Sequence, residues 1–360
     1  MKNKTQILLL LVLALLASCS PASKKQARVE RFFADDSFWN TPIPSDAEAD
    51  PKSDHLIGLM KKDPSGFNFG INTDEYTIPV YEADGSVPLV KMKLMKGRRG
   101  AGQSKEFQEM GVPIPVNFAP SPGTDMHATI IDRDRGLAWD MFYVLKDSTG
   151  EWASYTGMVV DLRGSGVFDP ADFPVKDGES IHQYGPSRAA GVPSFAGLIM
   201  YDEAAKGEIN HKLACALRCV GYGEHIYPPA VWTDGNLDNG VPEGAVIQLD
   251  PNLDLSQFDL LPGDRAVAVA LQKYGAVVVD FAGGNCLYAE GLWVYPEKSW
   301  KGLLRGWGDY NGTNGIASIP LDHYRVLKMK NIRTGGDRKK TEFFAPYLKY
   351  FEGDGCTGGE

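Results

Sequence analysis

From Tyr76 onward, hydrophobic and polar positions alternate in short runs, the period-two pattern of half-buried strands. Residues 76–81 and 87–94 flank Asp84-Gly85, a turn pair that predicts a hairpin. Residues 129–131 and 137–144 flank Asp132-Arg133-Asp134-Arg135-Gly136 and predict a second one. Residues 210–220 read as a strand, and residues 276–281 as a buried strand in which Asp280 follows three valines. The period changes to a helical one at 55–62, at 201–206 and, best defined, from Asp264. There Val267, Leu271 and Tyr274 share a face, Asp264 can cap the start, and Gly275 can end the helix. Residues 96–106, basic and Gly-rich, predict an exposed loop. Residues 164–194, with prolines at 170, 174, 186 and 193, are loop-heavy. Phe38-Trp39-Asn40 with the prolines that follow suggests an ordered arm across the domain. Strands run the whole length without a repeat or linker. The expected fold is mainly β, an antiparallel β-sandwich or jelly roll with a few short helices, as one catalytic domain over residues 31–360.

The head of the chain breaks this pattern. Lys2 and Lys4 precede an apolar run from Ile7 to Leu16 that ends in Leu16-Ala17-Ser18-Cys19. A basic start, about ten apolar residues and a small-residue cut form an export signal, too short to span a bilayer. Residues 20–30 are polar and read as a tether. The net charge of −9 argues against a nucleic-acid partner. Beyond Cys19 the chain holds Cys215, Cys219, Cys286 and Cys356. On one strand, Cys215 and Cys219 would lie roughly 13 Å apart, too far to bridge. Each would then pair with Cys286 or Cys356, or stay a free buried thiol.

Candidate chemistry begins at the 132–136 turn. A loop of two or four residues puts His127, Thr129 and Asp140 on one face; a loop of three does not. A His and a carboxylate within reach on rigid strands form an acid/base pair. His211, at a strand entrance, and Asp280 are further candidates, since burial raises the pKa of an acid. Asp125, Arg188, Trp139 and the loop residue Trp232 are candidate substrate-binding groups, an indole being able to carry a sugar ring. No nucleophile elbow, phosphate loop, dinucleotide fingerprint or zinc motif is present. No cofactor is required by this chemistry, although Asp132 and Asp134 could hold a structural calcium.

Leu16 to Cys19 resembles the lipobox of bacterial lipoproteins. That resemblance implies a lipidated Cys19 as the mature N-terminus and, with Ser20 next, placement in the outer membrane, the lipid being the only membrane contact. The mature chain resembles a broad group of secreted bacterial and fungal proteins, some of them carbohydrate-active. The shared landmarks are Phe38-Trp39-Asn40, His127 to Asp132 with Gly136 to Asp140, Ala196-Gly197-Leu198-Ile199 with Glu203, Gly207 to His211, and Ala270 to Gly275 with Val277 to Asp280. The resemblance implies a common site near His127, Asp140, His211 and Asp280. The leading expectation is a glycoside hydrolase acting on an envelope polysaccharide, with Asp140 and Asp280 as the carboxylate pair. One alternative is a polysaccharide lyase with His127 or His211 as base and Arg188 or Lys212 neutralising a uronate. The other is a non-catalytic glycan-binding lipoprotein.

Overall fold

The computed structural model describes residues 27–64, 68–95, 102–169 and 186–334. Cys19, residues 96–101 and 170–185, and Cys356 lie outside the described residues. Two sheets dominate. In chain order their strands are β1 (Gly70–Asn72), β2 (Val80–Glu82), β3 (Gly102–Gln103), β4 (Ala128–Asp132), β5 (Leu137–Phe142), β6 (Thr156–Asp161), β7 (Leu213–Leu217), β8 (Val246–Leu249), β9 (Ala276–Phe281), β10 (Cys286–Tyr288) and β11 (Tyr324–Val326). The first sheet has the order β2-β4-β5-β6-β3 and the second β1-β10-β7-β9-β8-β11. The helices are α1 (Ser53–Met60), α2 (Lys105–Met110), α3 (Tyr201–Lys206) and α4 (Pro262–Lys273). The fold is mainly β with few short helices.

Packing follows the alternation. Val80, Ile131, Ala138 and Val160 of the first sheet meet Ala214, Ala216, Val277 and Val279 of the second. Phe195 and Leu198, from the segment ahead of α3, and Phe33 and Trp39, from the N-terminal arm, share this core. Burying each large apolar side chain contributes roughly 1.5–3 kcal/mol. The opposite face of the second sheet carries Cys215, Val278 and Leu287 under α1 and α4. The outer face of the first carries Ile130, Trp139 and Met141 under Phe107 and Phe118.

Several expectations need correction. The sheets are mixed: β2 pairs with β4 and β7 with β9 in parallel, while β4–β5, β5–β6, β7–β10 and β8–β9 are antiparallel. Asp84-Gly85 does not close a hairpin. Val80 and Tyr81 are buried, whereas Leu89 is 45% and Val90 39% exposed, so the two arms have different destinations. The first joins β4 in the core, and Leu89–Val90 pairs with Val112–Pro113. The described part of the basic loop is ordered as β3 and α2, whose start Ser104 caps by accepting the Phe107 N–H at 3.2 Å. Helix α4 is capped three residues earlier than expected. Leu261 takes the cap position, and Asp264 accepts the Leu261 N–H at 2.9 Å from the third helical position. Gly275 ends the helix as expected, with φ +75°.

Candidate functional site

The β4–β5 loop has four residues, 133–136, and Thr129 stands directly opposite Asp140. The odd-sum register therefore holds, and both side chains share a face. His127 precedes β4, and its ring lies 5.1 Å from that of Phe142, two residues along from Asp140. This face looks toward the second sheet.

Asp140 is fully buried and bound at both carboxylate oxygens. Oδ2 accepts the Ser187 N–H at 2.7 Å; Oδ1 accepts the Ser187 hydroxyl at 2.9 Å and the Ser194 N–H at 3.1 Å. The Ser194 hydroxyl donates to Oδ1 as well. Burial raises the pKa of Asp140 against these four hydrogen bonds. The four hydrogen bonds from Ser187 and Ser194 fix both ends of the 187–194 segment, and the Thr129 hydroxyl reaches Oδ1 as a fifth at 3.5 Å. A tight turn lies between: the Arg188 N–H reaches the Val192 carbonyl at 3.1 Å, and the Gly191 N–H returns to the Arg188 carbonyl at 2.9 Å. Gly191 has φ +72°, and a Cβ there would stand 2.0 Å from Val231 Cγ2, so no larger residue fits.

That turn carries Arg188, which is 3% exposed. Its guanidinium lies 3.6 Å above the Tyr288 ring and 3.8 Å from the Asp280 carboxylate. Its Nη2 donates to the Ser194 carbonyl at 3.4 Å, and its buried Nε has no hydrogen-bond partner among the described residues. Asp280 reaches this point through a β-bulge. In the β7–β9 ladder Cys215 pairs with Val278 and Ala216 with Asp280, so the register skips Val279. Such a bulge re-aims the following side chain. The freed Val279 carbonyl accepts the Ala190 N–H at 3.1 Å, tying the turn to the second sheet as well.

Charge around Arg188 is uneven. Burial, then the nearby Arg188 cation, push His127 down to about 3 against a hydrogen bond with the Met141 backbone, and its Nδ1 has no hydrogen-bond partner among the described residues. The imidazole is therefore neutral at physiological pH. Burial and Asp280 hold the Tyr288 phenol protonated, against the pull of Arg188, and Asp125 adds to this from the same surroundings. Farther along, burial, Asp234 and Asp280 raise Glu243 well above the usual carboxylate range. Tyr288, Glu243, Ser187 and Ser194 were not singled out by sequence reasoning. A usable signal was the repeated Pro-Ser step, Pro186-Ser187 and Pro193-Ser194, that brackets Arg188.

The structure thus gathers His127, Asp140, Arg188 and Asp280, with Asp125 near Tyr288. It does not bring His211 to them. Both His211 ring nitrogens face acceptors, the Lys212 carbonyl at 2.8 Å and Glu203 Oε2 at 2.9 Å. Burial disfavours its charge, but Glu203 and the two hydrogen bonds override this and raise its pKa. With both ring nitrogens engaged by these acceptors, His211 has no nitrogen free to take a proton from a substrate. It lines a separate small cleft with Glu203, Arg31, Phe33, Trp39 and Phe195. Lys212 is turned into the fold, where its ammonium donates to the Thr41 carbonyl.

Trp139 is corrected as a ligand residue. It is fully buried under α2, and its indole N–H is spent on the Gly111 carbonyl at 2.8 Å. Trp232 is half-buried beside Gly191, and the residues after it, 233–237, are buried rather than an open polar loop. Cys215 and Cys286 are free buried thiols, and Cys219 is buried near Cys215. At the 132–136 turn, Asp132 accepts the Arg135 N–H at 2.9 Å and Asp134 lies 3.7 Å from Arg28. Among the described residues no group of three or more acidic, His or Cys side chains is placed to hold a metal ion. Comparison with profiles of known protein families, with curated proteins and with solved structures returns no match to this chain.

Proposed function

We propose that this protein cleaves an acidic polysaccharide at the cell envelope by β-elimination, at the cluster around Arg188. The observation that carries the reading is the pairing of two incomplete buried groups: the Nε of Arg188 and the Nδ1 of His127, neither with a hydrogen-bond partner among the described residues. Leaving such groups unsatisfied costs about 1–3 kcal/mol each, which a ligand can recover. A uronate carboxylate suits Arg188, whose planar fork matches it. Neutralising that carboxylate acidifies the adjacent C5 proton. His127, kept neutral, takes this proton as base. The C5 electron pair forms the C4–C5 double bond, the C4–O bond breaks, and the leaving oxygen takes a proton from the Tyr288 phenol. An anion on Arg188 also weakens the repulsion that depresses His127, bringing its pKa closer to what a base needs. The reaction requires no cofactor.

The hydrolase reading has less support, because both oxygens of Asp140 are committed to Ser187 and Ser194. Export and a lipid anchor at Cys19 belong to this proposal through the N-terminal pattern alone. The test is a screen of acidic and neutral polysaccharides that reads reducing ends and the ultraviolet absorbance of unsaturated uronates together. Absorbance rising with reducing ends is the expected result. His127→Gln should lower the rate by about 10²–10⁴-fold, and Arg188→Lys should fail to restore it. Reducing ends without absorbance, on a neutral glycan, would overturn elimination in favour of hydrolysis. Binding without any new ends would favour a glycan-binding protein.

A further inference from the structure

The sequence marks Asp140 as a catalytic carboxylate, yet its geometry is that of a fastener. We infer that Asp140 is a positioning residue, which acts on substrate only through Arg188. This deepens the reading of the Arg188 cluster as the binding site and rests on it.

Ionised carboxylates are costly to bury, by several kcal/mol even after relaxation. Asp140 offsets this with hydrogen bonds from two residues of one short segment, Ser187 and Ser194. Each follows a proline, which has no N–H of its own and restricts the chain just before the clamp. Between the clamped residues only six remain, 188–193, folded into one turn around Gly191. Arg188 is the first of them. Its guanidinium is held by Tyr288 below, Asp280 beside it and the Ser194 carbonyl, itself part of the clamp. Arginine has high rotamer entropy, and fixing it before substrate arrives removes that cost from binding. An asparagine at 140 keeps the shape but turns an NH₂ toward donors. Some of the four hydrogen bonds then become donor–donor contacts, and the turn is released.

His127 reports this release without any substrate. Arg188 is one of the causes that depress its pKa. Removing the negative charge of Asp140 could only depress His127 further. An increase therefore means either that Arg188 has moved away or that water has reached the ring, and labelling of Arg188 tells the two apart.

The experiment compares Asp140→Asn and the milder Ser187→Ala with wild type. Circular dichroism checks that each is folded. His127 is titrated by NMR of its ring, and Arg188 is labelled with an arginine-selective dicarbonyl and located by mass spectrometry. The expected result is a higher His127 pKa and labelling of Arg188 faster by about tenfold, larger in Asp140→Asn, with Ser187→Thr restoring protection. If Asp140→Asn does not fold, Ser187→Ala carries the test. A folded variant with Arg188 protected and His127 unchanged would overturn the inference. These readouts need no substrate, so they fail independently of elimination chemistry. Once a substrate is known, a raised KM with kcat less affected distinguishes loss of Arg188 placement from loss of a proton-transfer group.

Discussion

At the residue scale, the two histidines that the sequence paired as alternative bases respond to pH in opposite directions. His127 is depressed to about 3 in the folded state, against about 6.5 when unfolded. A group depressed on folding contributes stability that is complete above its unfolded pKa and lost as pH falls toward the folded value. Each tenfold difference in proton affinity between the two states is worth about 1.4 kcal/mol. His127→Gln should therefore flatten the fall in stability between about pH 6.5 and pH 4, read from urea midpoints at both ends; an unchanged slope would count against a buried neutral ring. His211 is raised, so its pairing stabilises the fold below its unfolded pKa and is lost as pH rises through the folded one. Glu203→Gln should cost about 1 kcal/mol near pH 6 and less near pH 9. Composition cannot separate these histidines, since both stand beside strands with acids nearby in sequence. What separates them is which atoms face each ring nitrogen, and the chain decides that only when distant segments meet.

At the element scale, what was legible was local. The sequence left the loop length open between an even and an odd count; with four residues, 133–136, register arithmetic puts Thr129 opposite Asp140. Helix α3 falls on the expected residues, and α4 ends where Gly275 predicts. The long-range partners were not legible. Nothing in residues 80–82 tells them to join β4 in parallel rather than residues 89–90 across a good turn sequence. The bulge at Val279 likewise arises from pairing with β7 and leaves no mark in an unbroken valine run. Gly275 offers an element-scale test. Its φ is +75°, and a Cβ there would stand 2.8 Å from the Ile247 carbonyl oxygen. Gly275→Ala should destabilise by about 1–3 kcal/mol, seen as a lower urea midpoint with an unchanged slope. A neutral result would mean that β8 yields at this point.

At the scale of the whole molecule, the fold is held by burial rather than by covalent cross-links among the described residues. Burial pushes the Cys286 thiol up to about 12 and raises Cys215 likewise, so neither supplies the thiolate that reacts. Iodoacetamide should leave Cys215 and Cys286 unmodified in the native protein and alkylate both in urea. Disulfide formation by either of them in the purified protein would contradict this. The candidate site was hard to foresee at this scale because it belongs to no single element. It draws His127 from the lead-in to one sheet, Asp280 and Tyr288 from the other, and Arg188 from a segment between them.

That middle segment also works as a strut. Its ends are fastened to β5 through Asp140, and its centre to β9 through the Val279 carbonyl. Any sliding of one sheet over the other would drag Arg188 out of line, and any ligand gripping Arg188 would resist that sliding. Occupancy and cohesion are then one equilibrium seen from two sides. A true ligand should raise the melting temperature of the intact protein, and should lose that effect once the strut is cut at Ser187 and Ser194.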